Sequence, residues 1–198
     1  MKRDEVLSTI AAFAKKNRAF VFAGNAHNAR ALCALADQPD FFYMVGSMGL
    51  CSTLAAGFSH CTKNPVIAIE GDGNALMGMS GFPVAVNAAK GPFVHIVLDN
   101  GLYESTGGQR TLSPQVDFIQ IALGAGYDQG YHPSDVETLA SLLEAALQCT
   151  ERTFICVSTE VSAGITHPRV PYHPRQIAQR FCDAFVPRFN SKFRDEIL

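Results

Sequence analysis

Three glycine-bearing segments concentrate the small oxygen-bearing side chains of this sequence. They are Gly46-Ser47-Met48-Gly49, Gly71-Asp72-Gly73-Asn74, and the run Asn100-Gly101-Leu102-Tyr103-Glu104-Ser105-Thr106-Gly107-Gly108-Gln109-Arg110. Glycine lets backbone approach a ligand closely, and loops that open onto helix N-termini attract phosphate. Asp72 and Asn100 offer a carboxylate and an amide oxygen. With diphosphate oxygens and water these complete the hard-oxygen octahedron of Mg²⁺. A metal held this way clamps a diphosphate and does no redox chemistry. Other phosphate and acyl chemistries fail on spacing. The dinucleotide fingerprint G-x-G-x-x-G finds Leu76 where its third glycine belongs, and the next glycine is Gly78. The Gly-Lys-Ser/Thr of nucleotide triphosphatases is absent, and Gly46-Ser47-Met48-Gly49 is out of frame for the G-x-S-x-G elbow. Taken singly, Gly71-Asp72-Gly73 is also an ordinary turn, Ser105 to Gly108 an idle loop and Met48 a core residue.

The elements that must position these segments alternate along the chain. Apolar runs predict strands at 19–23, 41–45, 65–70, 93–99, 126–131 and 153–158. Helical spacing predicts helices at 4–17, 28–37, 50–60, 75–90, about 115–124, 134–148 and about 174–186, with a long loop at 100–112. Short strands that are apolar on both faces, joined by helices, predict a doubly wound α/β domain. Its sheet is mainly parallel and six-stranded, with helices on both faces. Ligands in such sheets sit at the C-terminal ends of the strands, which is where all three segments fall. A single domain over 1–198 is expected, with a C-terminal extension at about 164–198.

Bulk properties exclude several classes. Net charge is −2, so nothing basic invites nucleic acid. No apolar run nears the roughly 18 residues of a membrane span, and the start, Met1 to Glu5, is charged. The six cysteines form no Cys-x-x-Cys pair and read as reduced, buried thiols of a cytoplasmic protein. The six histidines lack metal-ligand spacing, His95 reads as a satisfied core residue, and Glu70 reads as structural. Charged residues make up 17% of the chain, against roughly 25% in an ordinary domain. A partner chain covering part of the surface would account for the deficit.

From Phe41 to Tyr127 the chain resembles the diphosphate-binding domain of thiamine-diphosphate-dependent 2-oxo acid decarboxylases, and within them the phosphonopyruvate and sulfopyruvate decarboxylases. Three runs carry the resemblance: Tyr43 to Gly49, Glu70 to Gly73, and Val97 to Gln109, whose Ser-Thr-Gly-Gly-Gln is the most subfamily-specific part. Near Gly24 the family has a Ser-Arg-Glu-like run. This chain has Asn25-Ala26-His27-Asn28-Ala29-Arg30, which leaves the role of that segment open.

The resemblance implies thiamine diphosphate and Mg²⁺ as cofactors. Asp72, Asn100 and the Leu102 carbonyl would bind the metal. Gly73 and Asn74 would offer donors to the diphosphate. Gly46 would help hold the aminopyrimidine, Met48 would lie under the thiazolium, and Ser47, Gly71 and Tyr103 would be further cofactor contacts. Ser105, Thr106, Gln109 and Arg110 would meet the distal anion of a small 2-oxo acid. The reaction implied is decarboxylation of phosphonopyruvate to phosphonoacetaldehyde and carbon dioxide, with sulfopyruvate as the alternative substrate. Such enzymes also need a pyrimidine-binding domain. The expectation is therefore a split enzyme in which this chain is the beta-type subunit and another chain brings that domain. A non-catalytic cofactor-binding module is the competing reading, and an acetolactate-synthase-like carboligase a weaker one.

Overall fold

The computed structural model describes residues 1–162, 164 and 166–188. Its strands are β1 (Phe20–Ala23), β2 (Phe41–Tyr43), β3 (Val66–Gly71), β4 (Phe93–Asp99), β5 (Leu102–Tyr103), β6 (Gln109–Arg110), β7 (Gln129–Tyr131) and β8 (Arg152–Ser158). Its α-helices are α1 (Arg3–Asn17), α2 (His27–Ala36), α3 (Cys51–Ser59), α4 (Asp72–Gly78), α5 (Phe82–Ala88), α6 (Phe118–Ala125), α7 (Val136–Ala146) and α8 (Pro174–Phe185). The order β2-β1-β3-β4-β8-β7 forms one six-stranded sheet, parallel at every pairing, and β5 and β6 form a separate antiparallel hairpin. The expected architecture is thus the observed one.

The strands read as apolar throughout because both sheet faces are covered. Ile67 and Ile69 of β3 face the core formed with α1, α2 and α7, through Leu7, Leu32 and Leu139. Val66 and Ala68 face the opposite core, formed with α3, α5, α6 and α8, through Ala55, Phe82, Phe118 and Phe181. In this second core Phe181 meets Phe20, Phe22, Phe42 and Phe58 with ring centroids 5.0–5.5 Å apart. That packing seats α8, so the described part of the 164–198 extension lies on the domain. Residues 189–198 fall outside the described residues.

His95 stands on β4 among Phe82, Tyr127 and Phe154. Its Nε2 pairs with Glu70 Oε1 at 2.7 Å and its Nδ1 with the Tyr127 hydroxyl at 2.8 Å. Both earlier readings, a satisfied core histidine and a structural glutamate, fit this network. Among the described residues all six cysteines are free, but only Cys51 and Cys156 are buried, and Cys182 is exposed. No helix among the described residues is long and apolar enough to cross a membrane.

Three local expectations change. The helix expected at 75–90 starts earlier, at Asp72, and is split into α4, a 3₁₀ turn at Met79–Gly81 and α5. Glycines at 78 and 81 weaken a continuous helix, and Pro83 suits the first turn of a new one. The loop at 100–112 contains the β5–β6 hairpin. The strand expected at 41–45 ends at Tyr43, although the Met44 N–H still donates to the Ala23 carbonyl.

Candidate active-site cleft

The cleft opens at the C-terminal ends of β1, β3, β4 and β8. Register sets its floor: Gly71 of β3 pairs with Leu98 of β4, so Asp72 and Asn100 leave neighbouring strands side by side. Asp72, Gly73, Asn74, Asn100, Leu102 and Tyr103, all expected metal or cofactor contacts, line the cleft.

Asp72 is the first residue of α4 and is 2% exposed. Its Oδ2 accepts from the Thr111 hydroxyl at 2.5 Å. Burial raises the Asp72 carboxyl above the ordinary carboxylate range; the Thr111 bond opposes that and the neighbouring Asp99 adds to it. A buried carboxylate pushed upward is a group that a bound cation would return to its charged form. Asp99 is otherwise engaged, its Oδ1 accepting from the Gly101 N–H at 3.0 Å and the Ser113 hydroxyl at 2.7 Å. Asn100 Oδ1 accepts from the Leu102 N–H at 2.9 Å, which fixes the turn carrying the Leu102 carbonyl. No group of three His, Cys, Asp or Glu side chains suited to a metal occurs among the described residues. One carboxylate with amide and carbonyl oxygens is a donor set for a hard cation that shares its remaining positions with a ligand's oxygens.

Glycine matters at one point here. A Cβ on Gly73 would lie 2.3 Å from Tyr103 Cε1, because the tyrosine ring packs directly on the Gly73 backbone. Asn74 commits its Oδ1 to the Gly49 N–H at 3.0 Å, so the donor it can offer a diphosphate is its Nδ2. The same bond ties the 46–49 loop to α4, and Met48 borders the cleft. Ser47 adopts φ +55°, uncommon for a residue with a Cβ. Gly46 and Ser47 do not line the cleft; they border an adjoining shallow groove with Val45 and Leu54.

The four residues expected to meet substrate separate in space. Ser105 lines the cleft, while Thr106, Gln109 and Arg110 are exposed on the hairpin outside it. Thr106 Oγ1 and the Gly107 N–H both donate to Gln109 Oε1, at 2.8 and 3.1 Å. Two of the subfamily-specific side chains therefore shape the turn that carries Ser105.

Other groups in the cleft were not singled out from sequence. The segment with the family departure, Asn25 to Asn28, lines it, and Ala26 adopts φ +72° as α2 begins. Arg3 and Thr159 line it as well. Thr111 touches Asp72 from β6's far side, 39 positions along the chain, and no local signal marks it. His27 titrates below its ordinary value through burial and the Arg3 charge, so its imidazole stays neutral.

Fold and cleft together define a doubly wound α/β domain with a polar cleft at the C-terminal ends of its parallel strands. Residues 23–157 match the profile of the family described as thiamine pyrophosphate enzyme, C-terminal TPP binding domain. The chain belongs to that family. A phosphonopyruvate decarboxylase of Streptomyces viridochromogenes is 36% identical over 170 residues, covering 85% of this chain and 42% of that protein. A sulfopyruvate decarboxylase subunit beta of Methanococcus maripaludis is 32% identical over 148 residues, covering 75% of this chain and 79% of that subunit. The chain thus spans about two fifths of the length of the phosphonopyruvate decarboxylases it matches. Among solved structures, a thiamin diphosphate-dependent enzyme from Mycobacterium smegmatis superposes with a TM-score of 0.68 at 24% identity, covering 82% of this chain and 32% of that one. That likeness supports the fold.

Proposed function

We propose that this chain is the diphosphate-binding, beta-type subunit of a split thiamine-diphosphate-dependent decarboxylase that converts phosphonopyruvate to phosphonoacetaldehyde and carbon dioxide. The observation that carries the reading is the convergence of buried Asp72 with half-buried Asn100 and Leu102 on one cleft beside the β5–β6 hairpin. Asp72, Asn100 and the Leu102 carbonyl hold Mg²⁺, and Gly71, Gly73 and Asn74 receive the diphosphate. When bound, thiamine diphosphate supplies a nucleophilic carbon and an electron sink for loss of carbon dioxide from a 2-oxo acid.

The chain's own residues do the rest. Thr111 holds the Asp72 carboxylate toward the metal. Met48, fixed by the Asn74 bond to Gly49, supports the reacting ring. Tyr103 packs on Gly73 and closes one wall, and Ser105 turns its hydroxyl to the substrate. The aminopyrimidine half is received by a second domain on another chain, seated against the exposed apolar side chains beside the 46–49 loop. The relatives named subunit beta support that arrangement. Sulfopyruvate decarboxylation is the second reading, favoured by the 79% coverage of the M. maripaludis subunit.

The test is co-expression with a pyrimidine-domain chain and assay of phosphonopyruvate, sulfopyruvate and pyruvate. The expected result is turnover of phosphonopyruvate by the complex, with little or none by the single chain. Equal or better turnover of pyruvate, or full activity of the single chain, would overturn it.

A further inference from the structure

Arg3 lines the cleft. The backbone just before it is tied to the end of β8: the Met1 nitrogen donates to the Ser158 carbonyl at 3.0 Å, and the Glu160 N–H donates to the Met1 carbonyl at 2.8 Å. The Arg3 side chain is only 5% exposed. A guanidinium carries five N–H donors, and buried arginines are rare unless those donors are met. Here Nη1 donates to Glu104 Oε2 at 2.6 Å, and Nε is buried with no partner. Glu104 has a second anchor, because its Oε1 accepts from the Ser162 N–H at 2.7 Å. It therefore stays placed whether or not Arg3 holds it.

The charge inventory of the cleft lining gives Arg3 its meaning. Asp72 and Glu104 are acidic and His27 is kept neutral, so Arg3 is the permanent cation among the described lining residues. Arg110, the cation of the hairpin, is exposed elsewhere. Ser105, Asn25 and Thr159 line the same cleft. An arginine fork with spare donors, in a cleft that also offers hydroxyls and an amide, matches a tetrahedral oxyanion.

We propose that Arg3 is the oxyanion-binding residue of the cleft, exchanging the Glu104 carboxylate for a tetrahedral phosphoryl-class group when the cleft is filled. That group is the distal phosphonate of the substrate or the terminal phosphate of the cofactor. The substrate source rests on the decarboxylase reading above; the cofactor source does not.

The test uses the complex with its pyrimidine-domain partner. Calorimetry measures binding of thiamine diphosphate with Mg²⁺, and steady-state kinetics measure KM for phosphonopyruvate and for pyruvate. Arg3→Gln is expected to weaken one affinity by about tenfold to a hundredfold, the usual cost of a charge-assisted bond. Weaker cofactor binding identifies the terminal phosphate. A raised KM for phosphonopyruvate with pyruvate unchanged identifies the phosphonate. Arg3→Lys should restore part of the loss. Glu104→Gln, which removes the competing carboxylate, should leave the same affinity unchanged or tighter. Two results overturn the proposal: no change in either affinity in Arg3→Gln, or equal weakening by Arg3→Gln and Glu104→Gln with equal losses of Tm, the signature of a purely structural ion pair. If the wild-type complex binds cofactor but leaves phosphonopyruvate intact, the decarboxylase reading fails, and the calorimetric comparison still decides the role of Arg3.

Discussion

Gly49 and Gly78 meet backbone to backbone: a Cβ on Gly78 would lie 2.0 Å from the Gly49 carbonyl oxygen, and one on Gly49 would lie 2.9 Å from the Gly78 nitrogen. Gly49 also has φ +84°, a conformation that favours glycine. This contact, with the Asn74 bond to the Gly49 N–H, fastens the Met48 loop to α4, the helix that begins at Asp72. The expected metal ligand and the residue expected under the cofactor ring are thereby parts of one unit.

Gly78→Ala should break that unit. The added methyl meets backbone that cannot rotate away, so loop and helix must separate. Overpacking of this kind costs roughly 1–3 kcal/mol. The expected outcome is a lowered Tm together with weaker binding of thiamine diphosphate and Mg²⁺. Gly46→Ala is the comparison, since nothing lies within 4 Å of a Cβ there. It should leave the Tm of the single chain near that of the wild type.

Thr111 bears on the expected metal site through its hydroxyl, which donates to Asp72, while its N–H donates to the Gly101 carbonyl between Asn100 and Leu102. In Thr111→Val a desolvated carboxylate loses its hydroxyl donor, a change worth roughly 1–3 kcal/mol. Mg²⁺-dependent cofactor binding should weaken by about tenfold to a hundredfold, whereas Thr111→Ser should keep most of it. Titration calorimetry with Mg²⁺ varied at fixed thiamine diphosphate measures both. Equal affinities for Thr111→Val and the wild type would remove Thr111 from the metal site.

How far the sequence revealed the molecule follows from where each signal resides. β3 and β4 were legible because a strand covered on both faces must be apolar nearly throughout. Asp72 and Asn100 were legible because each follows directly on such a strand. Arg3 was not, since it meets Glu104 across 101 positions of sequence, and nothing around Arg3 distinguishes it from a solvated first-turn residue. The break after α4 was hidden for a similar reason: Gly78 reads as a tolerated helix glycine until Gly49 is seen against it. Gln109 has a local job that the sequence did not show, its amide oxygen closing the turn that carries Ser105.

Asp37 governs an acid-sensitive joint between α2 and the C-terminal segment. Burial opposes its ionisation, but the hydroxyls of Tyr172 and Tyr43 and the Arg180 guanidinium outweigh burial and pull its carboxyl below the ordinary range. A lowered folded-state value means that the ionised form favours folding. That contribution is complete above the ordinary carboxylate range and is lost as pH falls through it toward the lowered folded value. Asp37→Asn should therefore lower Tm at neutral pH, by the equivalent of about 1–2 kcal/mol given its partial exposure. The difference from wild type should shrink steadily as pH drops below about 4. Thermal melts of both proteins across that range check it, and a difference independent of pH would exclude the charged joint.

The side of the cleft where the partner is expected carries its own test. Val45, Leu50, Leu54 and Met77 are 43–64% exposed. Val45 and Leu54 share a groove with Gly46 and Ser47, while Leu50 follows Gly49, which touches the Met77 backbone. The four thus stand on or beside the loop expected to receive the aminopyrimidine half of the cofactor. Apolar side chains gathered beside a functional loop mark an interaction surface. Buried anchors at interfaces are worth about 2 kcal/mol or more, a loss of roughly thirtyfold in affinity. Leu50→Asp and Met77→Asp should weaken association with the pyrimidine-domain chain by at least that factor and depress activity in proportion at limiting partner. Neither residue is buried in the single chain, so its Tm should hardly move. Sedimentation or pull-down of the co-expressed pair measures the first effect and a melt of the single chain the second. Undiminished association of both variants would place the partner on another face.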